Sequence, residues 1–414
     1  MEDYRAEANP TYNTAYMSMF LLAMAGNEEA KELIEFMGLK NPLASQETQP
    51  GVTDLLDPGT LQDMKIGSQL GVEIRYNAVT KFSKDYPCFM DIACGYTPRG
   101  LKSIRSGQDY IGLDIPIVTQ EMQKVGMQFG TGKHSMYVAG DATNAQTMMQ
   151  AAAMLDKGPL FISCEGLLMF LNKSELTELM KNIRSILLKH GGAWYSSDLG
   201  VDYNRLSAAN IATQDALEKM IEVKKKLGRG TSVFFDSTYF KDENEKKAFV
   251  EAAGLKVEKL PFYQENEDCI KTFDLIKMDH KQKILDTLNN FSVWKMTAVG
   301  SSNSNVTEST HTTIDSKWDK ETLFLSISGR IDTMTAPNLL EIYRENQERI
   351  KNIVINCSNL EYISSSGLRV LMIMSKELGK NQVRLDSVND AISDILKTTG
   401  FNEMVIVDNM KMTK

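Results

Sequence analysis

Five carboxylates recur at or next to the ends of short apolar runs. Asp91 lies in CFMDIAC, Asp114 closes YIGLD, Asp141 closes MYVAGD, Glu165 closes LFISCE and Asp198 closes AWYSSD. A short apolar run bounded by a turn reads as a buried strand. If these five strands lie parallel, all five acidic groups reach one rim of the sheet. Any one alone could be a solvated loop carboxylate; five in succession point to a ligand site. The first run leads into a Gly-centred turn, CGYTPRG, and a helix-compatible segment, the order found where an open α/β sheet receives a nucleotide-like ligand. Asp114 follows Asp91 by 23 residues and is placed to accept hydrogen bonds from ribose hydroxyls. Asp141 is placed to accept from an adenine amino group. The turn has only Gly95 and Gly100, and Leu101 stands where a phosphate-binding loop needs Lys, so pyrophosphate cradling is poorly supported. The expectation is an adenosyl ligand with a smaller anionic group.

The elements that must position these residues alternate. Strands are predicted near Cys88–Cys94, Tyr110–Leu113, Met136–Ala139, Leu160–Cys164 and Ala193–Ser197, with helices at Ile117–Gly126, Ala145–Leu155 and Lys173–Lys189, the last capped by Asn172. Such alternation implies a parallel sheet covered on both faces. Two more strands, Leu255–Leu260 and Ser292–Val299, flank a helix near Lys281–Leu288 and close a sheet of about seven strands. Residues 1–80 read as a mostly helical cap, with helices at Asn27–Phe36 and Leu61–Gln69. Ala15–Gly26 is too short for a bilayer span and lacks a preceding basic segment, so it reads as a core helix.

Composition changes at GSSNSNVTESTHTT, residues 300–313, whose only aliphatic side chain is Val306. It reads as a flexible linker between a first domain, 1–299, and a second, 314–414. In the second, strands are predicted near Leu323–Ile327, Ile353–Cys357, Val383–Leu385 and Met404–Val407, with helices at Ala336–Glu348, Ser365–Leu378 and Asp390–Thr399. Ser364 is a natural N-cap for the middle helix.

A net charge of -8 argues against sequence-independent binding to nucleic acid or an anionic membrane. The five cysteines show no CxxC pair and suit a reducing cytoplasm. No metal site is read, and none of His134, His190, His280 and His311 sits in a motif.

The succession DIACGYTPRG, YIGLDIP, AGDAT and CEGLLMFL resembles the leucine carboxyl methyltransferase and polyketide O-methyltransferase family of class I enzymes that use S-adenosylmethionine (SAM). The resemblance covers roughly residues 10–299. It implies a Rossmann-like domain with a helical N-terminal cap, SAM as methyl donor, and a small carboxylate or hydroxyl compound as acceptor. Carried over, it sets Gly95 against the methionine moiety, Asp114 on the ribose, Asp141 near the adenine, Glu165 beside the sulfonium and Arg75 on the SAM carboxylate, with Asp91 in the same binding set. Glu165 and Asp198 are the candidates for catalytic contacts, since a hydroxyl acceptor wants a base whereas a carboxylate does not. The turn differs from the family in carrying Pro98 between Thr97 and Arg99. A second reading follows from it, a domain that binds SAM without turnover.

Residues 318–410 resemble the STAS (sulfate transporter and anti-sigma-factor antagonist) domain, through SGRIDTMTAPNL, NLEYISSSGLRVL and ILKTTGF. That resemblance implies a small α/β fold, Ser365 as phosphoacceptor, and an anti-sigma-type serine kinase or another regulator as partner.

Overall fold

The computed structural model describes residues 12–39, 58–129, 135–202, 206, 240–265, 268–300, 312–332, 334–379, 381–398 and 401–409. Two compact units emerge, one spanning residues 13–304 and the other containing 305–414. The expected linker, residues 300–313, lies outside the described residues over 301–311, and it ends sooner than expected: Thr312 bonds to Arg330 and Thr313 opens the first strand of the second unit.

Among the described residues the first unit opens with the helices α1 (Tyr12–Met24), α2 (Glu28–Met37) and α3 (Pro58–Thr80). The apolar run in α1 buries Met19, Phe20, Leu21 and Leu22 as core, and among the described residues no helix is long and apolar enough to cross a membrane. Helix α2 starts at Asn27, whose side chain accepts from the Ala30 amide. Helix α3 runs well past the Gln69 end expected from sequence. Gly67 and Gly71 weaken its local propensity, yet the stripe Ile66, Leu70, Ile74, Ala78 and Val79 is buried, and packing overrides propensity. Arg75 therefore stands on a helix.

Strands and helices then alternate: β1 (Cys88–Ile92), α4 (Arg99–Ser106), β2 (Asp109–Asp114), α5 (Pro116–Phe129), β3 (Ser135–Ala139), α6 (Ala145–Ala153), β4 (Leu160–Cys164), α7 (Lys173–His190) and β5 (Gly192–Ser196). After them come α8 (Glu243–Ala252), β6 (Leu255–Pro261), α9 (Met278–Leu288) and β7 (Ser292–Ala298). The sheet order is β3-β2-β1-β4-β5-β7-β6. The strands β1 to β5 are parallel, whereas β7 pairs antiparallel with both β5 and β6. This is the doubly wound, Rossmann-like arrangement, with a helical N-terminal part. Periodicity reports that β7 is a strand and is silent on its direction, which explains why only the parallel part was legible. The connection reverses between β1 and β4, the switch point where such sheets take ligands.

Glycine is required at the start of β5. Gly192 has φ 101°, and a Cβ there would stand 1.9 Å from the Leu160 carbonyl oxygen of β4. Gly192→Ala combines a left-handed alanine, about 1–3 kcal/mol, with displacement of a central strand. The expected result is a loss of at least about 2 kcal/mol in chemical denaturation of the full chain.

The second unit is a five-stranded sheet of order β12-β11-β10-β9-β8. Its elements are β8 (Thr313–Asp319), β9 (Thr322–Ile331), α10 (Ala336–Arg344), β10 (Asn352–Ile363), α11 (Ser365–Leu378), β11 (Val383–Val388), α12 (Asp390–Thr398) and β12 (Ile406–Asn409). The edge strand β8 was missed from sequence because little of it is buried: only Ile314 and Trp318 pack on the core. Such an edge lacks the alternation that marks a half-buried strand.

Candidate functional site

Strand β1 stops at Ile92 because Ala93 takes a left-handed conformation (φ 54°), as does Gly95 (φ 53°). A non-glycine residue there costs roughly 1–2 kcal/mol, and such strain gathers at functional turns. The Gly95 amide donates to Asp114 Oδ2 at 2.7 Å, and the Ile115 amide donates to Oδ1 at 2.7 Å. Asp114 thus links the β1 turn to the tip of β2. Burial pushes its pKa up to about 6, against the opposing pull of those two amides.

Asp141 lies just beyond β3, where its Oδ1 accepts from the Thr143 amide at 2.7 Å and the Thr143 hydroxyl at 2.5 Å. That turn leads into α6, capped by Asn144. Asp91 differs from the others. It sits within β1, is 1% exposed, and serves an internal network: Tyr110 donates to Oδ2 at 3.1 Å, Ser163 donates to Oδ1, and Arg99 Nη1 approaches Oδ1 at 3.4 Å. Burial raises its pKa, with Arg99 and Ser163 pulling the other way.

Arg99 is the hub that sequence reasoning did not single out. It begins α4, is buried, and binds Asp91 and Glu165 together. Its Nε donates to Thr80 Oγ1 at 2.9 Å, and its guanidinium lies 5.2 Å from the Tyr76 ring centre. Glu165 also accepts from Ser197 Oγ at 2.8 Å. The signal available in the sequence was a basic residue in the turn that follows an acidic strand. Pro98 holds φ −75°, the angle its ring imposes, and does not turn Arg99 away from Asp91 and Glu165.

After Glu165 the chain turns through Gly166 (φ 73°), whose amide donates to Asp198 Oδ2 at 2.7 Å. The Arg75 guanidinium stands at the same corner, 3.4 Å from where a Gly166 Cβ would lie. Asp198 is 5% exposed, and its buried Oδ1 has no hydrogen-bond partner among the described residues. Leaving a buried acceptor unpaired costs about 1–3 kcal/mol. Burial pushes the Asp198 pKa up to about 6; Arg75 lowers it, Glu165 raises it, and the Gly166 and Leu168 amides favour the charged form.

A second group missed from sequence joins three elements. Tyr16 of α1 stacks on Tyr96 at 3.9 Å between ring centres and 14° between planes. Tyr16 donates to Glu121 Oε2 of α5 at 2.6 Å, and Tyr96 donates to the same oxygen. Tyr96 directly follows Gly95, so α1 closes on the β1 turn. Nothing local in the sequence marks a contact between residues 105 positions apart.

The structure therefore brings Gly95 and Asp114 together at the switch point, and Arg75, Glu165, Gly166 and Asp198 at the ends of β4 and β5. Asp141 stands at the end of β3, and Asp91 belongs to the interior. With Asp91 in the interior, four described carboxylates, Asp114, Asp141, Glu165 and Asp198, remain at the rim beside the guanidinium groups of Arg75 and Arg99, a balance suited to a ligand carrying positive charge.

In the second unit Ser365 is the first residue of α11. Ser364 caps the helix, its hydroxyl accepting from the Gly367 amide at 3.3 Å, while its own amide donates to the Ile331 carbonyl at 2.8 Å. A Cβ on Gly367 would meet the Ile331 carbonyl oxygen at 2.9 Å, so glycine lets the helix start sit against the end of β9. Arg330 stacks over Tyr362 nearby, 4.1 Å from the ring centre.

Residues 313–413 match the family model of the STAS domain. An anti-sigma-B factor antagonist of Staphylococcus aureus (strain NCTC 8325 / PS 47) is 28% identical over 87 residues, 20% of this chain and 81% of that protein. The chain thus carries a C-terminal STAS domain. For the first unit, similar solved structures include a DUF574 family protein from Streptomyces avermitilis (13% identity, TM-score 0.39, 65% of this chain and 95% of that one). Human N-acetylserotonin methyltransferase in complex with SAM is another (12%, TM-score 0.32, 70% and 69%). Likenesses this distant carry no argument, and the fold rests on strand order and direction.

Proposed function

We propose that the first unit is a SAM-dependent O-methyltransferase for a small acceptor, and that the STAS domain docks a regulator. The observation that carries the first part is the Gly95–Asp114 pair at the sheet's switch point, 2.7 Å apart. Asp114 would accept from the ribose hydroxyls, Gly95 would pass the methionine moiety, Asp141 would meet the adenine, and Arg75 would hold the SAM carboxylate. SAM supplies a methyl group already activated by its sulfonium. The chain's own task is to align donor and acceptor and to exclude water. Glu165 and Asp198 are the groups nearest that task. Asp91 is better understood as the internal partner of Arg99 than as a ligand contact. Cytoplasmic residence fits five free cysteines, four of them buried.

Calorimetric titration with SAM followed by methyl transfer to a panel of small acceptors tests this reading. Binding with turnover is expected. Binding without transfer to any acceptor would favour a SAM sensor, the reading that Pro98 motivates, and no binding would remove both.

For the STAS domain, support comes from the position of Ser365 at the first turn of α11, where a phosphate gains from the helix dipole and free amides. The added charge would then alter partner docking without refolding the domain. Incubation with serine kinases of the host, followed by mass spectrometry, is expected to find phosphate on Ser365 and to lose it in Ser365→Ala. Labelling undiminished in that variant rejects the assignment.

A further inference from the structure

The geometry points to Asp198 as the proton acceptor of the reaction and to a hydroxyl, rather than a carboxylate, as the methyl-accepting group. This rests on the SAM-dependent reading above and deepens it. Glu165 is committed to an ion pair with the buried Arg99 guanidinium and also accepts from Ser197. Asp198 Oδ2 accepts from the Gly166 amide, while its buried Oδ1 has no hydrogen-bond partner among the described residues. A hydroxyl supplies the missing donor; a carboxylate supplies none and brings a further negative charge beside Glu165.

In the step so assigned, the acceptor oxygen forms a bond to the methyl carbon as the carbon–sulfur bond breaks. The bonding pair stays on sulfur, giving S-adenosylhomocysteine, and the hydroxyl proton passes to Asp198 Oδ1. Asp198 later returns that proton to solvent. The groups facing Asp198 among the described residues are Arg75 of α3, Cys164 and Glu165 at the end of β4, and the Gly166 and Leu168 amides. Lys246 of α8 reaches only the neighbouring Leu199 carbonyl, at 3.3 Å. With its pKa near 6, Asp198 is ionised at neutral pH and is a stronger base than an ordinary carboxylate.

The test uses the full chain, labelled SAM, and small acceptors supplied as matched hydroxyl and carboxylate pairs. Transfer is expected to the hydroxyl members, with kcat/KM falling about tenfold per pH unit below about 6. Asp198→Asn is expected to lower kcat about 100-fold while SAM affinity, which also reports correct folding, changes less than about threefold. Faster transfer to the carboxylate members overturns the proposal, as does an undiminished rate in Asp198→Asn. So does transfer to no hydroxyl member by a chain that binds SAM. Failure of wild-type protein to bind SAM instead overturns the underlying reading.

Discussion

Arg99→Met is expected to destabilise the first compact unit by about 3–5 kcal/mol and to leave the unfolding of the STAS domain in place. The substitution keeps much of the aliphatic stem but strands Asp91 and Glu165, whose side chains are only 1% and 4% exposed. Removing one partner of a buried ion pair leaves an uncompensated charge, and the cost is of that order. Here one cation serves two carboxylates and Thr80, so the loss should lie toward the upper end. The sign with pH follows. Without Arg99 the burial that already raises the Asp91 pKa goes unopposed by that cation, so its carboxyl favours the neutral form in the fold and the folded chain binds more protons than the unfolded one. The deficit should therefore shrink as pH falls toward about 4. Arg99→Lys should recover only part of the loss, because an ammonium cannot present the fork that reaches Asp91, Glu165 and Thr80 together. Chemical denaturation followed by two probes, one in each unit, checks all three expectations. Equal stability of Arg99→Met and wild type contradicts them.

The second large effect is expected at Asp114. Its carboxylate holds the amides of Gly95 and Ile115, and in the proposed complex the ribose hydroxyls as well. Hydrogen bonds to a charged group contribute about 1.5–3 kcal/mol each. Asp114→Ala should thus weaken SAM binding by about 100-fold or more, partly by loosening the Gly95 turn. Asp114→Asn should lose at least about tenfold, because its amide nitrogen would face a donor amide and cannot accept from it. Calorimetry on both variants, at a pH above the Asp114 pKa of about 6, gives the comparison. Wild-type affinity in Asp114→Ala would remove this residue from the site.

Much of this framework was legible because its signals are local. Leu160–Cys164 is one apolar run between turns and appears at those bounds, and Asn172 with Glu175 forms the capping box that starts α7. Ser365–Leu378 is likewise bounded by its own cap and Gly379. The carboxylate rim was legible as a pattern, but its inner division was not. Asp91 lies only a few residues from the turn, and nothing in its neighbourhood says that Arg99, Ser163 and Tyr110 occupy it. Those partners are 8, 72 and 19 residues away, and only the strand register brings them together. Pro98 appeared as an interruption because spacing was all the sequence offered; its φ fits the turn it occupies. Strand β8 and the Tyr16–Tyr96–Glu121 contact escaped for the complementary reason: one buries too little to leave a pattern, and the other joins three elements through side chains alone.

The central claim is that the switch point between β1 and β4 binds SAM through Asp114 and the Gly95 turn. A crystal structure of the full chain grown with saturating S-adenosylhomocysteine tests it most directly. The account predicts the ribose hydroxyls within about 3 Å of Asp114, the homocysteine moiety against Gly95 with its carboxylate toward Arg75, and the adenine beside Asp141. Ligand bound at another place on the chain, or a bound ribose that makes no contact with Asp114, would contradict it.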